Sequence, residues 1–219
     1  MKIIIIALVI AAITMLSAYR KQRKQKSSTV IDNAQTLEEK LEVLKSCGLQ
    51  LAPPFTIKDL LNSWDRKEYE SPGYELTLVG LAMTEEEEPW RFHSKNLWHF
   101  DTECIEDHGS YKQIAERMVE MSQGSLRLDD IKDYVDVEHE KAWLSFNFKG
   151  RPMKFNLKVE DDWVDATIFG KFVELLRESD SSKIFIYYDL EGQDCLIGCV
   201  KKSELECLQS KGLKFVPLH

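Results

Sequence analysis

The chain has 219 residues, of which 29 are basic and 37 acidic, a net charge of −8. Residues 1–26 hold six of the basic residues and none of the acidic ones, so the remainder carries 23 against 37, a net of −14. A body this acidic excludes a binder of phosphate backbones, which needs clustered Lys and Arg, and no nucleic-acid partner is expected.

Ile3 to Tyr19 is an apolar run of 17 residues without a charge. At about 1.5 Å per residue it is roughly 26 Å long, at the short end for a hydrocarbon core about 30 Å thick. Residues 1–19 are therefore predicted to be a transmembrane anchor, with Ile3, Leu8 and Ile13 in the run and Tyr19 at its interfacial edge. Arg20, Lys21, Arg23, Lys24 and Lys26 follow as a basic collar suited to anionic membrane lipid. Positive-inside bias then makes this a single-pass protein of the cell membrane with its C-terminal domain in the cytoplasm. The alternative is export after signal cleavage, although a cut after Ala18 would leave Leu16 where a small residue is preferred. Cys47, Cys104, Cys195, Cys199 and Cys207 form no CxxC or zinc framework and read as reduced thiols of a cytosolic domain.

Residues 20–35 read as a basic, polar tether. Residues 36–70 read as a helical pair packed on the main domain: Thr36 and Glu39 have capping-box spacing, and Leu37, Leu41 and Leu44 line one face before Gly48. Pro53-Pro54 breaks the chain, and Thr56 with Asp59 opens the second helix, burying Leu60, Leu61 and Trp64. From 73 to 219 one α+β domain is expected. Tyr74 to Leu81 reads as a strand, Glu85 to Glu88 as an acidic loop, and Leu97 to Ile105 as a second strand. Ser110 is expected to cap a helix with the stripe Tyr111, Ile114, Ala115, Met118 and Met121, ended by Gly124. A strand follows around Ile131 to Val137.

The clearest hairpin has Leu144, Phe146 and Phe148 on one face and Met153, Phe155, Leu157 and Val159 returning, with the turn through Gly150-Arg151-Pro152. Asp162 or Asp165 is expected to cap a helix with Ile168, Phe169, Phe172, Leu175 and Leu176 on its face. Strand Lys183 to Asp189 then turns at Glu191-Gly192 into Asp194 to Val200, Ser203 caps a short helix, and Phe215-Val216 closes the sheet. The sum is an antiparallel sheet built from hairpins, with helices packed on one face.

For chemistry, the richest string is Trp98-His99-Phe100-Asp101-Thr102-Glu103. On a strand His99, Asp101 and Glu103 share a face at period 2, a donor set for a divalent cation, with Glu106, Asp107 and His108 just beyond. Asp161, Asp162 and Asp165 are a second acidic cluster able to approach. Phe100-Asp101-Thr102-Glu103 resembles the first motif of the DEDD-type exonucleases, whose acids hold catalytic metals. The rest of that pattern is missing: His139 is followed, where one branch of the family has Asp, by Leu144. No GxSxG, phosphate-cradling Gly loop or HExxH is present, so no catalytic residue and no cofactor is assigned. Cys195 and Cys199 read as small core residues. Among Trp90, Trp98, Trp143 and Trp163, Trp143 falls on the polar side of its strand and is expected to be partly exposed.

These readings support a membrane-anchored protein-binding module, with an immunity-like or envelope-complex role as an analogy of architecture. The alternative is a metal-dependent hydrolase built on His99, Asp101 and Glu103, with a divalent cation as its cofactor.

Overall fold

Local chemistry sets the first helices as the sequence predicts. In the computed structural model, which describes residues 35–85 and 91–219, Thr36 Oγ1 accepts from Glu39 N at 3.2 Å while Glu39 accepts from Thr36 N at 2.8 Å. This box starts α1 (Leu37–Ser46), and Leu37 and Leu44 are fully buried. Gly48, at φ +88°, takes the left-handed turn that follows. Asp59 accepts from Thr56 N at 2.7 Å and opens α2 (Ile57–Ser63), and a one-turn α3 (Arg66–Tyr69) comes next. The ammonium of Lys40, itself 2% exposed, donates to the carbonyls of Tyr69, Ser71 and Gly73, tying α1 to the loop after α3. The expected membrane anchor, basic collar and nearly all of the expected tether, together with the acids 86–88 and Trp90, lie outside the described residues. Among the described residues no helix is long and apolar enough to cross a membrane.

The strand expected at Tyr74 to Leu81 is instead a helix, α4 (Glu75–Ala82). Its apolar run is buried around most of its girth, and a short continuous run carries no period to tell helix from strand. Gly80 lets it approach α3, since a Cβ there would lie 2.6 Å from the Tyr69 hydroxyl.

The single sheet of the sequence reading is corrected to two, both antiparallel. One has the order β1-β6-β5-β7, from β1 (Leu97–Asp101), β6 (Asp194–Lys201), β5 (Lys183–Asp189) and β7 (Val216–Pro217). The other runs β2-β3-β4, from β2 (Asp129–Asp136), β3 (Lys141–Phe148) and β4 (Arg151–Leu157). Helices are not confined to one face of the larger sheet. Phe185, Cys195, Ile197 and Cys199 join a core with the three-stranded sheet, α5 (Ser110–Met121) and α6 (Thr167–Ser179). Ile186, Leu196 and Val200 point the other way, into a second core with α1, α4 and α7 (Lys202–Ser210). Alternation along β5 and β6 thus feeds two cores, which is why six consecutive residues of β6 are buried.

Several boundaries are corrected. The β3–β4 turn is Lys149-Gly150, both at positive φ as a two-residue hairpin turn requires, so Arg151 and Pro152 already belong to β4. Ser110 is the first residue of α5 and does not cap it; that role falls to Asp133 of β2, which accepts from Gly109 N and Lys112 N at 2.9 and 3.1 Å. The N-cap of α6 is Ala166 and not Asp162 or Asp165; Asp165, one residue before it, accepts from Thr167 N at 3.0 Å. Glu204, three residues into α7, accepts from Lys201 N, so Ser203 lies inside the helix.

The reading of all five cysteines as reduced is corrected at one pair. Cys47, just past α1, and Cys207 of α7 form a disulfide with Cα atoms 5.3 Å apart. A separation of 160 residues leaves no spacing signature. Cys195 and Cys199 are core residues, and burial pushes both thiols up to about 12.

Candidate functional site

The end of the larger sheet where β1 stops and β6 starts collects carboxylates from three segments. Antiparallel register sets Asp101 directly opposite Asp194. Like charges in that position repel, and the neighbourhood is built around the conflict. Gln193 Nε2 reaches both oxygens of Asp101 at 3.3 and 3.4 Å, and Glu103 N donates to Asp101 Oδ1 at 2.9 Å. His99 Nε2 lies 3.7 Å from Asp194 Oδ1. Burial raises the pKa of Asp194; His99 opposes that shift and Asp101 adds to it.

The loops pack by backbone hydrogen bonds. Thr102 N donates to Gln193 O at 3.1 Å, Val164 N to Thr102 O and Ile105 N to Asp162 O, the last two at 2.9 Å. Segments 101–107, 160–165 and 189–194 are thereby held together, and none of them contains Lys or Arg. Burial first, then Asp101, Asp162 and Glu106, push the Cys104 thiol up to about 12, so it is a poor nucleophile. The nearest cation along the chain, Lys158, is paired with Glu160 at 2.6 Å.

Within this acidic surface stands Trp163. Its backbone bridges to both Glu103 and Glu160, and the residue is 43% exposed, one of two large hydrophobic residues so exposed among the described residues. A tryptophan in water bordered by carboxylates is a candidate protein-contact residue, since the indole supplies contact area at low entropic cost.

Of the residues named for a metal, His99 and Asp101 lie on β1, as expected. Glu103 does not: the strand ends at Asp101, and Glu103 follows a turn in which its own N–H caps the Asp101 carboxylate. Among the described residues no group of three His, Cys, Asp or Glu side chains is placed to hold a metal ion. Asp162 approaches the first cluster, whereas Asp165 is taken up by Lys158 N, Thr167 N and the Thr167 hydroxyl. Trp143 is half-buried on the outer face of its sheet, stacked 6.0 Å from the Tyr134 ring and covered by Lys154. Sequence reasoning missed Gln193 and Asp194, which reach the site only through strand register, and did not single out Trp163. Its signal was present: the run Glu160-Asp161-Asp162-Trp163 has too few apolar neighbours to bury an indole.

No protein-family model, no curated protein and no solved structure matches the chain.

Proposed function

We propose that this protein is a membrane-anchored protein-binding module whose α+β domain docks a basic surface of its partner onto Trp163 and the surrounding carboxylates. The exposure of Trp163, whose backbone is bridged to Glu103 and Glu160, carries this reading. An indole at the centre supplies the apolar anchor, while Glu103, Asp161, Asp162 and the Asp101–Asp194 pair steer a cationic partner and gain from its charge. Burial, and after it the charge of Asp101, raise the pKa of Asp194, and a cation brought against its carboxylate opposes both.

Residues 1–19 hold the module at a membrane. The Cys47–Cys207 pairing supports a domain on the oxidising side, against the orientation argued from the basic collar.

The test is capture from native membranes with the full chain solubilised in mild detergent, wild type beside Trp163→Ala. The substitution is expected to weaken the captured partner's affinity about tenfold or more, to shift the melting midpoint little, and the wild-type complex to weaken as salt rises. A protein that elutes alone under gentle conditions, or a partner retained equally by Trp163→Ala, overturns the proposal.

A further inference from the structure

The opposite end of β6 has the reverse charge. Seven residues at about 3.3 Å each put Lys201 roughly 23 Å along the strand from Asp194. There Lys201 lies in register opposite Lys183 of β5, again a like-charge pair on adjacent strands. Such a pair is destabilising by itself. In a body with 37 carboxylates a neutralising Asp or Glu between the two would be easy to place. Lys183 instead donates to the Ser122 carbonyl at 2.7 Å, and Lys201 has no ion pair among the described residues. Asp180, near Lys183, is committed to Ser182 and Ser125.

Both lysines line a cleft of about 340 Å³, and so do Lys45, at the end of α1, and Lys95, just before β1. Lys45 also pairs with Glu42 at 3.3 Å, while Lys95 has no ion pair among the described residues. The one carboxylate in the lining, Glu204, is occupied: it accepts from Lys201 N at 2.7 Å and packs over Gly48, where a Cβ would meet it at 2.6 Å. Asn96, 6% exposed, also lines the cleft, and its Nδ2 donates to Gly48 O at 2.9 Å and Cys199 O at 3.4 Å, tying two lining segments together. The Cys47–Cys207 bridge ties the Gly48 wall to the helix that carries Glu204.

We infer that this cleft binds a small anion carrying more than one phosphoryl charge, held by the Lys183–Lys201 pair together with Lys45 and Lys95. Its volume is at the lower end of small-molecule sites, and ammonium groups are point-charge ligands for phosphate. A phosphate placed there removes the strand-to-strand repulsion that the fold otherwise leaves standing. Such a group comes either from a free phosphorylated metabolite or from a phosphorylated lipid headgroup.

The experiment uses the full chain in non-ionic detergent. Inorganic pyrophosphate and inositol hexakisphosphate are the soluble probes, titrated by calorimetry against wild type, Lys95→Gln/Lys201→Gln, and a chain with the five collar cations replaced by Gln. Saturable one-to-one binding is expected, kept by the collar variant and weakened about tenfold or more in the cleft variant, whose ligand-free melting midpoint is unchanged or higher. Doping the detergent micelles with a phosphatidylinositol phosphate separates the sources. A rise in melting midpoint on doping that the cleft variant loses with the collar intact identifies a lipid headgroup; no rise on doping, with soluble binding lost in that variant, identifies a free anion. No heat with either soluble probe at millimolar concentration, or equal affinity in wild type and cleft variant, overturns the inference.

Discussion

Asp194 condenses the electrostatics of the acidic end into one titration. Its carboxylate is about half exposed, faces Asp101 across the strand pair, and has a pKa raised first by burial. A raised carboxylate pKa means that folding disfavours the charged form. The penalty is absent below the unfolded-state pKa, near 4, and is in full force once pH exceeds the folded value. Asp194→Asn removes the charge, so the variant is expected to melt about 1–3 °C above wild type at neutral pH, from under about 1 kcal/mol after allowance for solvent screening. That advantage should shrink to nothing as the pH is taken down towards 3. A gain that persists undiminished in acid would show that packing, and not charge, is what the substitution altered. Asp180 runs the opposite way: hydrogen bonds from Ser182 and Ser125 hold it at about 2, so what it contributes is present above pH 4 and lost as acid approaches that value.

At the scale of elements, the instructive contact is a cap supplied from another strand. Asp133 of β2 accepts from Gly109 N and Lys112 N at the start of α5, joining a helix to a sheet edge through two orphan donors. Asp133→Ala is expected to cost about 1–2 kcal/mol, read as a lower urea midpoint with an unchanged denaturant slope; Asp133→Asn should recover part of it. An Ala variant as stable as wild type would remove the cap from the account of α5. The same contact marks the limit of what sequence displays. Helix stripes such as Tyr111, Ile114, Ala115, Met118 and Met121 are legible because period 3.6 is local, and the β3–β4 hairpin because period 2 is local. Tyr74 to Leu81 gives no such signal because burial on most sides erases the period, and β6 hides its role for the same reason. In the candidate site, His99 and Asp101 could be named from one strand. Gln193, Asp194 and the packing of Asp162 beside Cys104 depend on pairings about 90 and 60 residues apart in sequence, which no window contains.

At the scale of the whole molecule, one covalent link decides between two addresses. The Cys47–Cys207 bridge closes a loop of 160 residues, while Cys104, Cys195 and Cys199 stay free. In cells quenched with acid and then denatured, a heavy maleimide tag is expected to add three times without reductant and five times with it. Five additions without reductant would put the domain on the reducing side and restore the cytoplasmic orientation read from the collar. The sheet edges have a colloidal consequence as well. β7 is two residues long; Leu218 N donates inward to Phe185 O, so by alternation the backbone nitrogen of Pro217 faces outward and has no hydrogen to offer. Pro152 interrupts β4 in the same manner, and β2 is bulged between Asp129 and Lys132. Three of the four sheet edges, those of β7, β4 and β2, therefore make poor templates for strand-by-strand polymerisation, which leaves β1 as the edge through which copies of the domain could pair.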